Sequence, residues 1–178
     1  KHLASLFKDK DMKFRLRIKM GNKNLSSAAT YLLFLEKYRL EAEYSIFIDL
    51  TKDISIIKSE IRRSYKSLIN FGLREMKIEV LSSDNILKKD FEDFMNLHIK
   101  ESGRKTRTSR TWDKQYISVK NNEAFVVKAN LYNENVSFGL FLHSEKHCYY
   151  GVSASRRDLF DKPLFHAIMW EAITHAKK

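Results

Sequence analysis

Apolar and polar positions alternate along Met12–Met20, with Met12, Phe14, Leu16, Ile18 and Met20 on one side and Lys13, Arg15, Arg17 and Lys19 on the other. That period of two predicts a half-buried strand, ended by Gly21-Asn22. Ser26 and Ser27 suit the start of a helix running to about Glu43, and Tyr44–Leu50 reads as a second, more buried strand. Thr51 or Asp53 then caps a long helix whose stripe is Ile54, Ile57, Ile61, Tyr65 and Leu68, with Gly72 as its stop. Lys77–Leu81 is a short strand. Leu87, Phe91, Phe94, Met95 and Ile99 mark another amphipathic helix, ending near Gly103. A basic connector, residues 104–110, leads into a short helix holding Trp112, Tyr116 and Ile117. Ala124–Tyr132 and Val136–His143 form a hairpin across 133–135, and a turn at 144–146 leads into His147–Ser153. Leu164, Phe165, Ile168, Met169, Ala172, Ile173 and Ala176 stripe a last helix. The order predicts a mixed α/β (α+β) domain with an antiparallel centre, without repeat or linker.

The 178 residues suit one domain, and 43% hydrophobic with 12% aromatic content excludes a disordered or collagen-like chain. A chain of this length buries about 70% of its unfolded surface and needs no metal or disulfide to fold. No apolar run approaches the ~18 residues of a spanning helix. The first twenty residues carry charge throughout, unlike a signal peptide. A lone cysteine, Cys148, points to a reducing cytoplasm. The net charge of +11 calls for an anionic partner without choosing it. With five Gly and one Pro, phosphate cradles of the GxGxxG or GxxxxGK[ST] type are excluded. The chain begins at Lys1 and ends at Lys178 inside a helical pattern, which reads as a fragment trimmed at both ends.

His98 lies on the stripe of its helix, either as a core histidine or as a group taking a proton from an attacking amine. Gly103 releases the chain so that Arg104 and Arg107 sit a turn or two away, with guanidinium forks suited to phosphate or carboxylate. Trp112 packs or stacks. Ser155, Arg156, Arg157 and Lys162 stand at the entrance to the last helix, whose N-terminus favours anions; Asp161 is its expected cap. The bland alternative pairs Arg156 and Arg157 with Asp158 and Asp161. His166 and Trp170, four apart, share a face off the main stripe that suits a ligand or another domain. His143, His147 and Cys148 lack a fourth ligand and a CxxC pair, so no metal is expected. Nothing marks Cys148 as an activated thiol. Tyr149 and Tyr150 alternate faces, one towards the core and one towards a site.

At Leu97-His98, Gly103-Arg104, Thr106-Arg107 and Trp112 the sequence resembles the Fem-type (FemAB-like) branch of the GNAT acyltransferase superfamily. Ile69-Asn70-Phe71-Gly72, Tyr149-Tyr150-Gly151, Ser153–Arg157 and the helix His166–Ile173 follow in the same order, so that the resemblance covers residues 44–178. It implies a GNAT-like mixed sheet with a central antiparallel meander flanked by helices. It further implies N-acyl transfer from an activated donor, aminoacyl-tRNA or acyl-CoA, to an amine of a cell-envelope or sugar-type acceptor, with no permanently bound cofactor. Carried onto this chain, it makes His98 and Tyr150 catalytic. Arg104, Thr106, Arg107, Trp112, His166 and Trp170 become substrate-binding, and Ser155, Arg156, Arg157 and Lys162 donor- or anion-binding. Main-chain N–H groups after Tyr149 would face the oxyanion. Two departures stand out. Arg157–Lys162 lacks the small residues of a conventional CoA pyrophosphate loop, and relatives continue past the last helix into a glycine and a strand carrying Asp. The rival reading is a non-catalytic basic module that binds nucleic acid through Phe138, Phe141, Tyr149 and Tyr150 on one face.

Overall fold

Ile61 and Arg62, both extended, break the predicted long helix into α1 (Ile54–Glu60) and α2 (Arg63–Glu75). The reason lies in what the two stripes share. Ile57 and Ile69 both pack on Trp170, with Ile61 beside them. On one straight helix those isoleucines would stand about 18 Å apart, too far to meet a single indole. Asp53 caps α1, its carboxylate accepting the Ser55 N–H at 2.7 Å.

The computed structural model describes residues 46–178, and residues 47–178 make one compact unit. The strand expected at 12–20 and the helix expected at 26–43 lie outside the described residues. Of the expected strand Tyr44–Leu50, residues 46–49 are exposed and neither helix nor strand, with no neighbouring strand to pair with among the described residues.

After α2 come β1 (Lys77–Leu81), α3 (Lys88–Ser102), α4 (Ser109–Lys120), β2 (Ala124–Leu131), β3 (Glu134–His143), β4 (Cys148–Ser155) and α5 (Leu164–Ala176). The strands pair antiparallel in the order β1-β2-β3-β4, which makes β4 an edge among the described residues. The β2–β3 turn falls at Tyr132-Asn133, one residue earlier than expected. Both have positive φ, 54° and 64°, the two-residue geometry whose twist suits a hairpin. The β3–β4 register slips at Phe141, leaving Gly151 as the extra residue of a bulge.

Both faces of the sheet are covered. Val126, Phe138, Leu140, Val152 and Ala154 meet α3 and α4 through Phe91, Phe94 and Trp112. Phe125, Val127, Ala129, Val136 and Phe141 meet α5 through Leu164, Ala167, Ile168 and Ala172. This burial removes the rival reading's aromatic platform, because Phe138 and Phe141 are 0% and 3% exposed. Lys128 of β2 ties the sheet to α3, its ammonium 2.9 Å from Asp90 and 3.0 Å from Glu79. No helix among the described residues is long and apolar enough to cross a membrane.

Gly72 does not end α2; it sits three residues inside it, where the helix meets α5. An added Cβ would lie 2.5 Å from the Ala167 Cβ and 2.9 Å from Met76 Cε. Alanine in a helix interior gains roughly 0.5–1 kcal/mol over glycine, whereas overpacking costs about 1–3 kcal/mol. Gly72→Ala should therefore destabilise the unit, by about 1–2 kcal/mol in chemical denaturation. A stabilised variant would show that α2 and α5 are free to separate there.

Candidate active site

A cavity of about 600 Å³ opens where the edge strand β4 gives way to α5. Its walls are Leu68 of α2, the last turn of α3 (His98, Glu101, Ser102), the end of β4 (Ser153–Ser155), the loop 156–163 and the first turn of α5 (Leu164–His166). That volume suits a small molecule or the reacting end of a larger one.

Each wall follows from local sequence. Gly103, at φ 66°, ends α3 in the left-handed conformation and leaves His98, Glu101 and Ser102 on its final turn. The Arg156 N–H bonds the Val136 carbonyl at 2.9 Å, so Arg156 faces β3. Antiparallel alternation then turns the main-chain N–H groups of Ser153 and Ser155 to the other side, where β4 has no neighbouring strand among the described residues. No side chain caps α5: its cap position is Pro163, not Asp161. Asp161 instead pairs with Lys162 at 3.1 Å. Among the described residues the N–H groups of Phe165 and His166 find no acceptor, so the start of α5 presents donors and a partial positive charge to the cavity.

The expected site residues divide into two sets. His98, Ser155, Arg156, Arg157, Lys162 and His166 line the cavity; Arg104, Thr106, Arg107, Trp112, Tyr150 and Trp170 do not. His98 is 8% exposed, and its Nε2 accepts a hydrogen bond from the Arg107 guanidinium at 3.0 Å. Burial first, and Arg107 second, hold the imidazole below its ordinary pKa. The neutral ring thus keeps its proton on Nδ1, which faces the Ser102 hydroxyl at 3.4 Å. Because Arg107 occupies Nε2, His98 has no open lone pair for an amine proton in this arrangement. Arg107 also lies over Trp112, 5.9 Å from the ring centre, and Trp112 is enclosed by Phe91, Phe94 and His98. Arg104 and Thr106 are exposed on the connector, so the arginine pair does not converge on His98.

At the α5 end, Arg156 is held by Asp158 and Glu134, which keep its guanidinium above its ordinary pKa range, and Arg156 in turn holds the Asp158 carboxyl below the usual carboxylate range. Arg157 makes no ion pair among the described residues, and its backbone N–H bonds Glu101 Oε2 at 3.0 Å. His166 stacks obliquely with Tyr65, ring centres 5.4 Å apart, and its buried Nδ1 has no partner among the described residues. Trp170 turns away into the packing of α1 and α2, under the Lys58 ammonium. The face expected to meet a ligand is therefore split: His166 reaches the cavity and Trp170 is core. Tyr150 stands just outside, its hydroxyl 2.5 Å from Ser153 Oγ and its ring against Phe141 and Phe165. Tyr149 is 70% exposed. Among the described residues no three His, Cys, Asp or Glu side chains are grouped to hold a metal ion. Burial raises the Cys148 thiol pKa, the opposite of an activated nucleophile.

Glu101 and Ser102 also belong to the cavity, and no motif of the sequence includes them. A signal for Glu101 existed: it follows His98 by three residues and so shares its helix face.

No protein-family model matches the chain, and no curated protein matches it. Among solved structures it is similar to FemX, with 12% identity and a TM-score of 0.56, over 72% of this chain and 48% of that one. A conserved protein of unknown function from Staphylococcus epidermidis is similar over 63% of this chain and 44% of that one, at 14% identity and a TM-score of 0.45. The chain thus spans about half the length of the FemX chain it matches. Its mixed α/β architecture, a four-stranded antiparallel sheet flanked by helices, is a Fem-like fold.

Proposed function

We propose that the cavity is an N-acyltransferase site of the Fem-type GNAT branch. It would move an acyl or aminoacyl group from an activated donor to an amine of a cell-envelope or sugar-type acceptor. The observation that carries this reading is the junction itself: outward N–H groups of an edge strand and the uncapped start of α5 open into one cavity. Acyl transfer needs fixed donors where negative charge develops on the carbonyl oxygen, and the Ser153 and Ser155 N–H groups are suited to that task. It needs a hold on the donor's or acceptor's anionic group, which the α5 N-terminus, Arg157 and Lys162 supply. Positioning then does most of the work, without a covalent enzyme intermediate. Tyr150, through Ser153, is suited to returning a proton to the departing donor oxygen or sulfur. Aminoacyl-tRNA fits the +11 charge and the lack of small residues at 157–162; acyl-CoA is the other donor of this class. Both donors belong to the cytoplasm.

Titration with inorganic pyrophosphate tests the anion half of the site. Replacing both Arg157 and Lys162 by alanine should weaken binding about tenfold, the scale of one charge-assisted hydrogen bond. Equal affinity in wild type and double variant would remove the site.

A further inference from the structure

The transfer reading leaves one task unassigned, because the attacking amine must be held and must lose a proton while His98 Nε2 is already occupied by Arg107. Two carboxylates line the cavity. Asp161 is paired with Lys162, whereas Glu101 makes no ion pair among the described residues. Glu101 Oε2 accepts the Arg157 N–H, which fixes the carboxylate across the gap between α3 and the loop before α5. Its Oε1 is left without a protein donor among the described residues. The helices bounding the cavity add to this asymmetry. Glu101 stands on the C-terminal turn of α3, the negative end of its dipole, and α5 enters with its positive end. One wall favours a cation and the opposite wall an anion.

We infer that Glu101 is the amine-binding and proton-accepting residue of the site, and that the acceptor is a primary amine on a molecule that also carries an anionic group. This assignment rests on the transfer reading and deepens it. The amine nitrogen's lone pair forms the C–N bond. The bond from the acyl carbon to the donor's oxygen or sulfur breaks, its electron pair leaving with the donor. Glu101 Oε1 takes from the acceptor's ammonium the proton that frees the nitrogen lone pair and releases it to solvent, and the proton lost by nitrogen after attack replaces the one that Tyr150 gives the departing donor atom, so that ammonium and activated acyl donor yield amide, free donor and one proton.

The test uses NMR titration of the whole chain with two probes, 1,5-diaminopentane for the amine and inorganic pyrophosphate for the anion. Diaminopentane should shift the backbone amides of Glu101, Ser102 and Arg157. Glu101→Gln should weaken it about fivefold while still accepting the Arg157 N–H and leaving pyrophosphate binding intact. Glu92→Gln, an exposed carboxylate of the same helix outside the cavity, should change neither. Intact pyrophosphate binding with a diamine affinity indifferent to Glu101→Gln would overturn this assignment alone. Absence of pyrophosphate binding at the start of α5 in the wild type would overturn the transfer reading, and the assignment with it.

Discussion

Trp112→Ala should cost the folded unit about 3–5 kcal/mol, the range for deleting a fully buried large aromatic, and lower substrate affinity only by unfolding it. Trp112 is 3% exposed and meets Phe91, Phe94 and His98 edge-on at 5.3–5.9 Å. Its removal empties the contact between α3 and α4 and deprives Arg107 of the ring beneath it. Trp112→Phe keeps part of that volume and should cost clearly less. Urea denaturation of the three proteins checks this, with pyrophosphate affinity measured on the folded fraction. An alanine variant of normal stability but lost affinity would make Trp112 a ligand-stacking residue after all.

Arg107→Ala should destabilise by about 1–3 kcal/mol near pH 7.5, because it leaves a buried imidazole nitrogen without its donor. That cost should shrink near pH 5, and the sign follows from the lowered pKa of His98. As pH falls through 6.5, the unfolded chain protonates this histidine before the folded one does. The stability it contributes is complete above that value and declines below it, towards the lowered folded pKa. Arg107 is one of the two causes of the lowering, so its removal relieves repulsion of the imidazolium. Denaturation of wild type and variant at both pH values, taken as a difference, cancels the other titrating groups. An equal cost at about pH 5 and about pH 7.5 would show that Arg107 does not act through His98.

Local pattern exposed much of this fold. The stripe from Phe91 to Ile99 ending at Gly103, the strand Lys77–Leu81, and the meander with a striped helix after Pro163 were all readable, because each element satisfies its own periodicity. What escaped was set by tertiary contact. The apolar stripe runs through Ile61 without interruption, and only the shared packing on Trp170 explains the break there. Gly72 looks like a helix stop and is a packing site, a distinction that requires Ala167 as neighbour. The hairpin turn settled on Tyr132-Asn133 instead of the more polar 133–135 because strand twist and register favour two positive-φ residues. At the site, the sequence brings both Arg104 and Arg107 towards His98, whereas only Arg107 reaches it, and its bond to Nε2 uses the lone pair a base would need. The basic segment 156–162 reads as one cluster, but its cations have different fates: Arg156 is held by Asp158 and Glu134, Lys162 shares its charge with a largely exposed Asp161, and Arg157 has no ion pair among the described residues. Charge order along a loop does not say which acids fold back onto it.

The transfer reaction itself is the decisive measurement. The protein is given labelled aminoacyl-tRNA, or labelled acyl-CoA in a parallel reaction, together with a panel of amino sugars and lysine-containing peptides bearing phosphate groups. Amide product is expected from at least one donor, greatly reduced when Arg157 and Lys162 are both alanine and when Glu101 is glutamine. Binding of tRNA irrespective of its aminoacyl group, with no amide formed from either donor and no response to these three positions, would contradict the transfer reading.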